Sequence, residues 1–313
     1  MSATNNQRKV AVVGAGAVGG YFGGMLARAG VPVMLIGRPS FVEAVQRSGL
    51  FIDSFRFQET VHPRASTELS AASDADVVLF CVKTTDTANV SKQLAATLRS
   101  TAVVVSLQNG VNNVEEIRAA SGIDAVPAVV YVACSAPAAG TVKHFGRGDL
   151  VIGPTNETTA KIANLFISAD IPCRISNNIE GELWTKLIWN CALNAVSALG
   201  RVTYGEILAS ADAKQLLEAL VYETLHVARA KGINPPGLED PHAALAGSFK
   251  IAEQMSGQRS STGQDLARGK RTEIDSLNGF VARLGAQLGV PTPVNHALFT
   301  LVKLYEANFP TAP

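Results

Sequence analysis

Lys186, Asn190 and Asn194 recur every four residues in a segment that is otherwise almost wholly apolar, Glu182-Leu-Trp-Thr-Lys-Leu-Ile-Trp-Asn-Cys-Ala-Leu-Asn194. At about 100° per residue, an α-helix carries all three on one narrow stripe. Leu183, Leu187, Ile188, Cys191, Leu193 and Val196 clothe its flanks. An ammonium and two carboxamides against apolar walls are costly unless a protein partner or a ligand satisfies them. A lysine can stabilise a developing oxyanion and then protonate it, and neutral amides both donate and accept. The stripe is the chain's foremost candidate for a reaction centre.

A second chemistry-bearing pattern lies at the other end. Gly14, Gly16 and Gly19 form Gly-x-Gly-x-x-Gly, with Ala15, Ala17 and Val18 between them, directly after the apolar run Val10–Val13. In a strand-turn-helix context the first glycine makes the tight turn and the second admits a pyrophosphate. The third lets helix and strand pack closely. The helix N-terminus then offers unpaired N–H groups to phosphates. The usual acid at the end of the second strand, which would bond a ribose 2′-hydroxyl, is absent. The first Asp or Glu of the chain is Glu43, and Gly37-Arg38 stands where the acid belongs. A guanidinium there suits a 2′-phosphate and favours NADP(H) over NAD(H), the alternative being that Arg38 is merely solvated.

Three further places follow from the expected strand ends. Lys83 succeeds Val77–Val82 and Asn109 succeeds Val103–Gln108, so both belong at the carboxyl edge of a sheet, where ligands bind. Asn109-Gly110 also reads as a simple turn. The segment from Ser260 through Ser261, Asp265, Glu273 and Asp275 to Asn278 is unusually polar for its surroundings. Ser261 and Glu273 there are candidates to complete a polar pocket opposite Lys186, but from spacing alone a solvated helix face with ion pairs is the better explanation, since Lys and Arg abound nearby.

The elements that must position these residues divide the chain in two. Short β-branched runs at Val10–Val13, Val33–Ile36, Val77–Val82, Ala102–Leu107 and Val126–Val132 alternate with helical patterns at Ala17–Ala29, Thr87–Leu98, Val114–Ala120 and Thr158–Ser168. That alternation predicts a doubly wound parallel sheet of Rossmann type. Leu50–Asp53 and Arg56–Thr60 suggest an inserted hairpin, and Thr141 to Ile152 antiparallel edge strands. Residues 1–8 read as a frayed tail. From Ile179 onward only helices are predicted, at Ile179–Leu199, Gly205–Lys231, His242–Gln254, Gln264–Leu288 and Val294–Phe309. The expected organisation is an α/β dinucleotide domain over 1–177 and an all-α substrate domain over 178–313.

Composition narrows the function classes. The 313 residues are 47% hydrophobic and 17% charged, with net charge +1. Such a chain packs a core and has no electrostatic reason to seek nucleic acid or an anionic membrane. Val126 to Val142 is the most membrane-like stretch, but Pro127 and Pro137 make it a strand and loop. Cys81, Cys134, Cys173 and Cys191 are scattered, as reduced thiols of a cytoplasmic protein are. The apolar run at Val10–Val13 is too short for the core of a signal peptide. The five histidines lack ligand spacing, so no metal site is expected.

With these residues assembled, the chain resembles the ketopantoate reductase (2-dehydropantoate 2-reductase) family nearly end to end. The resemblance is carried by the glycine motif, Lys83 in Val-Lys-Thr-Thr, Asn109 in Gln-Asn-Gly, the Glu182–Asn194 helix, Ser261 and the Arg-Thr-Glu273-Ile-Asp segment. It implies NADPH held by Gly14 to Gly19, Lys83, Asn109 and the backbone near Ala136. It implies Lys186 as general acid, Glu273 beside the reacting carbon, and Asn190, Asn194 and Ser261 as the grip on a 2-oxo acid. It further implies ketopantoate reduction in pantothenate biosynthesis and, by analogy, a homodimer. Tyr204 stands where known members carry a substrate-contacting Asn, and Asp86 where they often carry Gln. That departure keeps open a same-fold enzyme for another 2-oxo or hydroxy acid. An NADP(H)-binding regulator without turnover is the remaining rival.

Overall fold

Val10–Val13 (β1) is buried on both faces, as befits an inner strand of a parallel sheet. In the structure, a computed structural model that describes residues 8–309, it lies between β2 (Val33–Ile36) and β6 (Val77–Phe80) and is parallel to both. Beyond β2 runs β5 (Arg64–Ser66). Beyond β6 come β7 (Val103–Ser106) and the first residues of β8 (Val126–Ala138). The order therefore reverses at β1/β6, the switch point at which such sheets bind ligands. Helices α3 (Thr87–Ala95), α4 (Asn113–Ser121) and α5 (Glu157–Ser168) lie in the crossover segments. The tail expected over residues 1–8 falls, apart from Arg8, outside the described residues.

The sheet is mixed rather than wholly parallel. After Pro127, β8 leaves β7 and pairs antiparallel with β9 (Thr141–Ile152). Next to β9 come β3 (Leu50–Ser54) and its hairpin partner β4 (Gln58–Val61), while β10 (Cys173–Ile175) also pairs with β9. The inserted hairpin is present as expected. The segment Thr141 to Ile152, expected as an edge, is interior instead, flanked by β8 and β3. Helix α1 (Ala17–Arg28) touches both halves of the sheet, and its glycines make that possible. A β-carbon at Gly23 would lie 2.7 Å from Leu35, and one at Gly24 2.8 Å from Ile52. Helix α2 (Pro39–Ser48), unforeseen in the sequence, starts at a proline in its first turn and buries only Val42, Ala44 and Val45.

The chain divides into two compact units between Ile179 and Glu180. The second is helical: α6 (Ile179–Gly200), α7 (Tyr204–Ala209), α8 (Ala211–Ala230), α9 (Pro241–Gln254), α10 (Ser261–Ala267), α11 (Asn278–Leu288) and α12 (Pro293–Ala307). Two expected long helices are each broken. Ser210 ends α7 and caps α8 by accepting from Ala213 N–H. Gln264–Leu288 is interrupted between α10 and a short 3₁₀ turn at Ile274–Ser276, because Thr272 is drawn to Glu306 of α12. Its N–H and Oγ1 both donate to that carboxylate, at 2.7 and 2.6 Å.

Candidate active site

The candidate nucleotide site of the first unit is built by backbone. Gly14 has φ +95°, a conformation that favours glycine, and a β-carbon there would sit 2.7 Å from the Cys81 carbonyl carbon. At Gly19 it would sit 2.4 Å from Gly14 O and 2.9 Å from Val12. At Gly16 it would meet nothing within 4 Å. Packing thus gives no reason for a glycine at position 16. No side chain caps α1, so its first-turn N–H groups remain for an anion. This arrangement fits a dinucleotide pyrophosphate.

Arg38 is exposed at the carboxyl end of β2 and forms the N-cap of α2, where no acid occupies the first turn. A β-carbon on Gly37 would lie 3.3 Å from Ala15, which places Arg38 one residue from the glycine turn. Lys83 is half-buried and opens a 3₁₀ turn after β6, its carbonyl accepting from Asp86 N–H at 2.9 Å. Asn109 is half-buried after β7, its carbonyl accepting from Asn113 Nδ2 at 2.6 Å. Ala136 is exposed near the end of β8. Sequence reasoning missed the residue that holds two of these loops together. The buried Gln108 side chain donates to the Val82 carbonyl at 3.1 Å and to Thr87 Oγ1 at 2.7 Å, and accepts from Ser106 Oγ at 3.1 Å. It ties the Lys83 loop to the Asn109 loop.

The second group of candidate residues stands on α6, in the helical unit. Lys186, Asn190 and Asn194 lie along one continuous helix, each step rising about 6 Å. Lys186 and Asn190 are half-buried, while Asn194 is 5% exposed. The stripe is backed by the helical core through Ile188, Ala192, Leu193 and Ala195. Trp184 is wholly buried against Phe280, with ring centroids 6.0 Å apart.

The residue before Ser261 is bonded to α6. Ser260 is 1% exposed; its Oγ donates to the Asn194 carbonyl at 2.9 Å, and its N–H donates to Ser197 Oγ at 3.1 Å. The same Oγ accepts from Gly263 N–H and so caps α10, leaving Ser261 exposed in the first turn. Glu273 is half-buried at the head of the 3₁₀ turn, on the segment anchored by Thr272. Asn278, also unforeseen, braces α6 from behind. Its Nδ2 donates to the Cys191 carbonyl at 3.0 Å and to Asn295 Oδ1 at 2.9 Å. Glu223 of α8 closes this network by accepting from Asn295 Nδ2 at 2.8 Å.

None of the four cysteines is in a disulfide, and burial raises the pKa of Cys81, of Cys191 and, to about 12, of Cys173. Among the described residues no group of His, Cys, Asp and Glu could hold a metal, and no helix is long and apolar enough to cross a membrane.

A glycine turn open to pyrophosphate at a sheet switch point, joined in one chain to a helix bearing lysine and two amides, defines a dinucleotide-dependent oxidoreductase. Comparison with known proteins gives the family. The model for "Ketopantoate reductase PanE/ApbA" matches residues 10–157, and that for its C-terminal part matches residues 178–306. The chain belongs to the ketopantoate reductase family. It is 47% identical to the PanE/ApbA family ketopantoate reductase of Ralstonia eutropha JMP134, with TM-score 0.90 over 96% of this chain and 98% of that one. The 2-dehydropantoate 2-reductase of Pyrococcus abyssi is 31% identical over 96% of this chain and 98% of its own. That of Pyrobaculum aerophilum is 34% identical over 95% and 97%. D-mandelate dehydrogenase, solved with NADH and anilino(oxo)acetate, shares the fold at 24% identity, with TM-score 0.88 over 96% of this chain and 99% of that one. Family membership makes the cofactor a nicotinamide dinucleotide.

Proposed function

We propose that the chain reduces the 2-oxo group of ketopantoate with NADPH, giving pantoate for coenzyme A biosynthesis in the cytoplasm. The observation that carries this reading is the lysine-amide stripe of α6 in a chain matched over both halves to the ketopantoate reductase family. NADPH, when bound, supplies hydride to the 2-oxo carbon. The chain's own residues do the rest. The N–H groups of the α1 N-terminus, with Gly16 clearing the approach, hold the pyrophosphate. Arg38 receives the 2′-phosphate, and Lys83, Asn109 and the backbone near Ala136 hold the remainder of the cofactor. Protonated Lys186 stabilises the oxygen on which negative charge develops, then delivers Nζ–H to it as general acid. Asn190, Asn194 and Ser261 bind the acid without neutralising the lysine, and Glu273 lies by the reacting carbon. The described thiols, none of them in a disulfide, support a reducing compartment.

One observation favours a second reading, a related branched 2-oxo acid as substrate. Tyr204 stands where the family resemblance leads one to expect a substrate-contacting amide, and it is buried. NADPH oxidation measured with ketopantoate beside other branched 2-oxo acids decides between the two. The first reading requires ketopantoate to have the highest kcat/KM. A higher value for another acid establishes the second, and no oxidation with any of them overturns both.

A further inference from the structure

Tyr204 is 6% exposed and its ring belongs to the core of the helical unit. Its hydroxyl donates to Asn194 Oδ1 at 3.1 Å. The backbone around it is held firmly. Tyr204 N–H donates to the Gln258 carbonyl at 3.0 Å and Gly205 N–H to the Ser256 carbonyl at 2.8 Å. Thr203 and Glu206 form a capping box across the same turn. Burial raises the phenol's pKa far above its usual value, so it carries its proton at any working pH.

A buried O–H must find an acceptor or pay the cost of losing water. Among the described residues, Asn194 Oδ1 is the acceptor Tyr204 has. Turning the carboxamide over would place Nδ2 against the phenol oxygen and leave the phenolic proton with none. The bond therefore selects one of the two amide orientations. Asn194 is held at its backbone as well, by Ser260. Its Nδ2 makes no hydrogen bond among the described residues and is not sealed from solvent.

We propose that Tyr204 is a positioning residue that locks the Asn194 carboxamide with Oδ1 inward, so that Asn194 serves the substrate only as a donor. It then recognises an acceptor oxygen, the carboxylate or carbonyl of a 2-oxo acid, and cannot accept from a substrate hydroxyl. Asn190 keeps the two-way capacity of a free amide. Tyr204 thus acts on specificity through Asn194 without touching the ligand. The inference rests on the reading of the α6 stripe as the 2-oxo acid site.

A double-mutant cycle of Tyr204→Phe and Asn194→Ala tests it. Phenylalanine keeps the ring in the core and removes only the hydroxyl. The 2-oxo acid that the unaltered enzyme reduces fastest is used, and its KM is measured beside its Kd for the protein–NADP⁺ complex. Preference for an acid other than ketopantoate then bears on the substrate assignment and not on the tyrosine. The expected result is that Y204F raises KM and Kd about tenfold, the size of one well-placed hydrogen bond, with kcat and the KM for NADPH within about twofold. In the N194A background the same change moves them by less than about twofold. An equal rise in both backgrounds overturns the proposal. So does a Y204F enzyme whose thermal midpoint falls while its KM and Kd stay unchanged, because the hydroxyl is then structural only.

Discussion

Gly16 and Gly19 belong to one motif, yet the structure assigns them different work, and replacing each by alanine should separate the two. At Gly19 an added β-carbon would fall 2.4 Å from Gly14 O and 2.9 Å from Val12, both parts of the rigid turn and strand. Such overpacking costs about 1–3 kcal/mol. For a protein of this size that lowers the unfolding midpoint by roughly 2–10 °C. At Gly16 the added carbon meets no protein atom within 4 Å, and φ is −88°, so no left-handed strain arises. Its effect on stability should stay within about 0.5 kcal/mol. The new methyl does fill the space through which a pyrophosphate must approach. Loss of one or two hydrogen bonds to a charged group, each about 1.5–3 kcal/mol, weakens NADPH by about tenfold to several hundredfold or more. Thermal unfolding without ligand and the KM for NADPH, measured on both variants, give the comparison. A Gly16→Ala protein that unfolds several degrees early and keeps its NADPH affinity would refute the assignment.

Other consequences follow from single side chains. Arg38→Ala should lower kcat/KM for NADPH by about 10–100-fold, one charge-assisted hydrogen bond, and leave NADH nearly unaffected; an equal loss with both cofactors counts against a 2′-phosphate contact. His144 is buried, and its Nε2 lies 2.8 Å from the Arg147 carbonyl, which can only accept. That nitrogen carries the proton, and Nδ1 accepts from Ser54 Oγ at 3.0 Å. Burial holds the pKa of His144 below its usual value. The unfolded chain therefore binds the extra proton first, and stability is lost as pH falls below about 6.5. The loss is about 1.4 kcal/mol for each unit of depression and stops below the folded pKa. His144→Asn should flatten the fall in unfolding midpoint between neutral pH and about 5, and parallel curves for the two proteins would contradict this.

Legibility followed the range of the interactions involved. β1, β2 and the start of α1 were readable because short apolar runs and a glycine motif encode them locally. The face of α6 was readable because Lys186, Asn190 and Asn194 repeat with the helical period. Helix α2 escaped although its apolar residues share one face, because it is short, buries only three side chains and has no side-chain cap to mark its start. The break before Glu273 escaped because its cause, the bond from Thr272 to Glu306, spans 34 residues. Gln108 and Asn278 look like ordinary polar residues in sequence. Their roles exist only once Val82 and Thr87, or Cys191 and Asn295, stand beside them. Ser261 drew attention in the sequence, but the buried link to Asn194 is made by Ser260. Two adjacent serines in a loop carry no local signal of which one turns inward.

On the proposed reading, Lys186 delivers the proton in an NADPH-dependent reduction of ketopantoate. Single-turnover reduction by the Lys186→Ala protein, saturated with NADPH and ketopantoate, tests it most directly. The account predicts a rate lower by about 100-fold or more, the usual worth of a positioned general acid, with NADPH affinity and thermal midpoint unchanged. A rate near that of the unaltered protein would contradict it.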